Sequence, residues 1–143
     1  MANDNEFVNS MSAAADMCVA RFSNDDEMLD YQPDSLRHLD LLLTEVQNFL
    51  DDMHPDQVKF LVSAFGSYLF EVVRRTHGGT YYWYEPEDQP VLILGEPEYK
   101  ISMLAFGKIQ KLLTDASESI SQYYGRVVDQ LQMAQPGDNL TVG

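Results

Sequence analysis

Two hydrophobic rhythms share this chain, and the change between them falls near residue 78. Phe7, Met11, Ala14, Ala15, Cys18 and Phe22 recur at helical spacing and predict an amphipathic helix over 5–22, with Asn9, Ser12 and Asp16 outward. Ser23-Asn24-Asp25-Asp26 supplies turn residues, and Leu29-Asp30-Tyr31 reads as extended because Pro33 biases Gln32 away from helical angles. Pro33-Asp34-Ser35 opens a second helix with the stripe Leu36, Leu39, Leu43, Val46 and Leu50, widened by Leu42 and Phe49. Asp51-Asp52-Met53-His54 closes it, since carboxylates disfavour a helix C-terminus. Pro55-Asp56-Gln57 begins the third helix, whose inward face over 58–76 is Val58, Leu61, Val62, Phe65, Leu69, Val72 and Val73. Gly66 costs about 1 kcal/mol there relative to alanine and needs a close neighbouring element as compensation. The short link between the second and third helices predicts an antiparallel hairpin.

After the cap residues Gly78-Gly79 the preference becomes extended. Thr80 to Glu85, with Tyr81-Tyr82-Trp83-Tyr84, predicts a strand, and alternation puts either Tyr81 and Trp83 or Tyr82 and Tyr84 inward. Val91-Leu92-Ile93-Leu94 predicts a second strand and Tyr99-Lys100-Ile101 a third. Met103, Leu104, Ile109, Leu112 and Leu113 predict a helix over 102–114. Ile120, Tyr124, Val127, Val128 and Leu131 predict another over 116–134. Residues 135–143 read as a mobile tail after Pro136-Gly137. The expected fold is α+β: about five helices around a small antiparallel three-stranded sheet, in one domain over 1–143.

Composition narrows the classes. With 45% hydrophobic residues, the chain can bury a core and is not disordered overall. Lone Cys18 excludes an internal disulfide framework and fits a reducing compartment. Met1 to Glu6 does not read as a signal peptide, and no stretch reaches the roughly 20 apolar residues that cross a bilayer. A cytoplasmic location with no membrane partner is the expectation. The net charge is -14, and residues 1–58 hold 13 acids against 2 bases. That field repels nucleic acid and attracts basic partners.

Glu71 precedes Arg74 and Arg75 by three and four residues, so either pair shares one helix surface. The ordinary reading is an intrahelical ion pair. The functional reading holds an arginine ready for a carboxylate or phosphate beside Trp83, because the guanidinium fork matches such groups. Lys100 completes the set of ligand- or partner-binding candidates: Glu71, Arg74, Arg75, Trp83 and Lys100. His38, His54 and His77 are scattered, and neither Asp25-Asp26-Glu27 nor Asp51-Asp52 forms a calcium loop. No metal, cofactor or catalytic residue is assigned, because nucleophile-elbow, phosphate-loop and dinucleotide patterns are missing.

Tyr31-Gln32-Pro33-Asp34-Ser35-Leu36, Gly66 to Arg75, and His77-Gly78-Gly79 with the aromatic strand resemble a loose group of small bacterial proteins of unknown function. The resemblance spans Leu29 to about Tyr124 and implies a compact α+β domain of bacterial origin. The group often has a glycine before Glu71, where this chain has Phe70. It supplies no catalytic residue to carry over.

Two functions compete on these grounds. One is a non-enzymatic acidic interaction domain, regulatory or toxin-neutralising, meeting a partner's basic patch. The other is a small-molecule module or enzyme with a groove between helix 58–76 and the sheet. Homodimerisation is compatible with both.

Overall fold

The computed structural model describes residues 2–25 and 28–143. Asp26 and Glu27, part of the turn and of the acidic run above, lie outside the described residues. Helix α1 spans Ala2–Phe22, α2 Leu36–Phe49, α3 Pro55–His77, α4 Ala105–Thr114 and α5 Ile120–Met133. Strands β1 (Thr80–Tyr84), β2 (Gln89–Leu94), β3 (Lys100–Met103) and β4 (Asn139–Val142) form one sheet in the order β1-β2-β3-β4. The class is α+β.

The sheet differs from the expected three antiparallel strands. Among the described residues it has four, and β4 runs parallel to β3 while the other pairs are antiparallel. A parallel neighbour needs a long crossover, and α4 with α5 provides it. Residues expected as a tail therefore close the sheet: Lys100 N–H donates to Asp138 O at 2.8 Å, and Gly137 N–H to Glu98 O at 2.8 Å.

Helix α3 is the spine. His54 caps it, accepting from Asp56 N–H, while the Gln57 side chain accepts from His54 N–H. Gly78, at φ 85°, ends it and donates to Arg74 O at 2.8 Å. From Ala64 to Val73 every residue is buried. A helix apolar all round requires cover on all sides, and α1, α4 and the sheet supply it. A Cβ on Gly66 would sit 2.5 Å from Phe106 Cδ1, so this glycine lets α4 approach α3 closely. The expected hairpin of α2 on α3 is not what forms. α2 instead packs chiefly on α5 and α4, and Gln47 Nε2 donates to Leu112 O at 2.7 Å. A short link limits where α3 begins, but the all-round burial of α3 goes to other neighbours.

Register settles which β1 aromatic enters the core. Tyr81, Leu92, Met103 and Val142 line up across the four strands and are all buried. Tyr82 faces the other way. Trp83 shares the face of Tyr81 but sits at the end of the sheet against Phe7, ring centroids 6.3 Å apart, and stays 50% exposed.

Candidate functional site

The predicted Glu71 cluster forms, and it is built inward. The helical repeat puts Arg74 and Arg75 one turn beyond Glu71, whose side chain is fully buried. Arg74 binds both carboxylate oxygens, Nε to Oε2 at 2.7 Å and Nη2 to Oε1 at 2.8 Å. Arg75 Nε donates to Oε1 at 3.1 Å, and Tyr81 Oη donates to Oε2 at 2.7 Å. Burial pushes the Glu71 carboxyl up, but these hydrogen bonds outweigh it and hold the group at about 2. Burial and the neighbouring carboxylate raise the Tyr81 phenol, so it remains a donor.

Arg75 makes further contacts beyond Glu71. Its Nη2 donates to Ser12 Oγ at 3.1 Å, and its guanidinium lies 3.6 Å from the centre of the Tyr31 ring. Tyr31 Oη in turn donates to Asp16. This arrangement locks α1, α3, β1 and the 28–35 segment together. The space between α3 and the sheet, where a groove was expected, is filled by Phe70, Tyr81 and Phe106. Trp83 lies at the margin of the cluster, and Lys100 stands on β3, two strands from β1. None of the recesses described below is lined by Glu71, Arg74, Arg75, Trp83 or Lys100.

A second ion cluster, buried at Lys108 and open to solvent at Arg126, is not among the sequence-predicted sites. Lys108 Nζ lies 2.7 Å from Glu118 Oε1, while Arg126 binds the same carboxylate through Nε at 2.6 Å and Nη2 at 2.7 Å. The Arg126 hydrogen bonds bring the Glu118 carboxyl down to about 2 against the cost of burial. The signal was present: Lys108 falls among Ala105, Ile109 and Leu112 on the inward face of α4, where a lysine needs an acid.

Four of the nine bases are thus committed to Glu71 and Glu118. The remaining acids dominate the surface, and along α2 and its flanks they surround apolar side chains. Met28, Leu41 and Phe49 are 58%, 59% and 63% exposed, among exposed Asp30, Asp34, Glu45, Asp51 and Asp52.

Two recesses involve Phe22 and its hydrogen-bond partner His38. The Phe22 ring lines the second, of about 490 Å³, with Arg21, Met53, Phe60 and Leu61. Its carbonyl receives a hydrogen bond from His38 Nε2 at 2.8 Å, and His38 lines the first, of about 570 Å³, with Met28, Asp30, Asp34, Ser35, Arg37 and Leu41. The wall at Ser35 is fixed by a relay. Tyr31 N–H donates to Tyr68 Oη at 2.9 Å, Tyr68 is hydrogen-bonded to Ser35 Oγ, and Ser35 donates to Gln32 O at 2.7 Å.

Among the described residues, no group of three or more His, Cys, Asp or Glu side chains is placed to hold a metal, and no helix is long and apolar enough to cross a membrane. Burial pushes the Cys18 thiol up to about 12, so it carries no thiolate chemistry. No family model, curated protein or solved structure matches this chain.

Proposed function

We propose that this domain binds a basic segment of a partner protein on the outer face of α2 and the segments flanking it. The observation that carries this reading is the pairing of exposed Leu41 and Phe49 with an acidic surround on one helix face. Apolar side chains in a mainly acidic surround, with Arg37 the one exposed base on α2, suit an amphipathic partner of the opposite sign. The filled space between α3 and the sheet favours this reading over a small-molecule enzyme, which needs a cleft with convergent polar groups. Regulation of a basic protein, or neutralisation of a basic toxin, would use the same contact.

The test is fluorescence anisotropy with a labelled amphipathic lysine–leucine peptide. Binding at low ionic strength should weaken steeply as the Debye length falls from ~10 Å at 0.1 M salt to ~3 Å at 1 M. Leu41→Ser with Phe49→Ser should weaken it by about tenfold, or about 1.4 kcal/mol, at every salt concentration. No association at low salt would remove the basis of the reading.

A further inference from the structure

We infer that the recess formed by Met28, Asp30, Asp34, Ser35, Arg37, His38 and Leu41 receives an arginine side chain of that basic partner. The inference rests on the interaction reading above and gives it an anchor point.

His38 supplies the first reason. It is 7% exposed, and its Nδ1 has no hydrogen-bond partner among the described residues. Nε2 faces the Phe22 carbonyl at 2.8 Å, an acceptor, so Nε2 carries a proton, and in the neutral ring Nδ1 presents a lone pair. A buried acceptor without a donor is costly, and a ligand N–H would relieve that cost. His38 is among the residues that line the recess, so a ligand entering it comes against this ring.

Charge and shape supply the second. Asp30 and Asp34 line the recess and are exposed. Asp30 already accepts from Gln32 N–H at 3.1 Å through one oxygen, leaving its other oxygen for a ligand. Two carboxylates against the one guanidinium of Arg37 leave the lining with a net negative charge. Two carboxylates and an imidazole acceptor suit a planar fork with five N–H donors better than a compact ammonium with three. Met28 and Leu41 offer apolar surface along which the methylene stem of an arginine can lie.

The experiment compares the lysine–leucine peptide with its arginine–leucine counterpart on the intact chain. The arginine peptide should bind about tenfold more tightly. Asp30→Asn with Asp34→Asn should erase that preference, whereas Asp51→Asn with Asp52→Asn should lower both affinities and keep it. Arg37→Gln should tighten the arginine peptide by removing a like charge. In nitrogen NMR the His38 Nδ1 resonance should move toward that of a hydrogen-bonded nitrogen only with the arginine peptide. If both peptides bind equally, or the preference survives Asp30→Asn with Asp34→Asn, the recess is not the anchor, although the interaction reading stands. If neither binds at low salt, the interaction reading itself fails.

Discussion

Tyr81 Oη donates to Glu71 Oε2 at 2.7 Å, joining the first strand to the central helix through a buried carboxylate. Ten residues separate the two, with Gly78-Gly79 reversing the chain between them. The same carboxylate holds Arg74 and Arg75. Removing the acid would strand two guanidiniums and a phenol together, whereas removing the phenol leaves both ion pairs intact. Glu71→Ala should therefore cost roughly 3–5 kcal/mol, and Tyr81→Phe about 1.5–3 kcal/mol. Urea unfolding of the two variants checks the order. A Tyr81→Phe cost equal to or above that of Glu71→Ala would mean the carboxylate is not the hub.

Acid should find the same weak point. Burial and the opposing hydrogen bonds from Arg74, Tyr81 and Arg75 leave Glu71 at about 2 instead of 4.5, and Arg126 leads Glu118 to a similar value. A depressed folded pKa means the unfolded chain binds more protons as pH falls. The contribution is fully present above about 4.5 and is lost as pH drops toward about 2. For Glu71 it amounts to about 3 kcal/mol at neutral pH. Urea midpoints measured between about pH 5 and pH 3 should fall with acidification, and Glu71→Gln should flatten that slope. An unchanged slope in Glu71→Gln would place the acid sensitivity elsewhere.

The sequence made the helices legible wherever apolar spacing was regular. The spine at 58–76, its Gly78 stop and the aromatic strand all appear where periodicity put them. The Glu71–Arg74–Arg75 pairing was legible too, because it is set by helical geometry alone. Long-range features were not. Strand β4 is four residues long, half polar, and exists only because β3 offers an edge. Its short run after Pro136-Gly137 carries no periodic signal. The partner of α2 was misread because a short link says which helix ends lie near each other, not which faces bury each other. His38 sits on the inward stripe of α2 beside Leu39, where sequence alone does not reveal the Phe22 carbonyl it meets.

The second ion cluster makes an asymmetric prediction. Glu118 is shared by Lys108 and Arg126, and Lys108 is 7% exposed. Losing Lys108 leaves Glu118 with its bidentate arginine, so Lys108→Met should cost no more than about 1.5 kcal/mol. Losing Glu118 leaves a buried ammonium beside a guanidinium, both also close to the Tyr123 ring. Glu118→Leu should cost roughly 3–5 kcal/mol. Thermal unfolding of both variants decides the matter, and equal costs would show that Glu118 and Lys108 act as an isolated pair.

Asp40 reaches across the fold to start another helix. From the α2 surface its Oδ1 accepts from Ile120 N–H at 2.6 Å, while its Oδ2 accepts from Ser121 N–H at 3.2 Å and Ser121 Oγ at 2.6 Å. Ser119 already satisfies Gln122 N–H at 3.0 Å as the local cap of α5. Asp40 therefore takes the first-turn donors that a local cap leaves open, and its charge opposes the positive helix end. Asp40→Ala should cost about 1–2 kcal/mol, with Asp40→Asn costing less because one carbonyl oxygen still accepts. Hydrogen exchange should quicken at Ile120 and Ser121 in Asp40→Ala while the α3 amides keep their protection. A loss below about 0.5 kcal/mol with unchanged exchange at those two amides would show that α5 starts without help from α2.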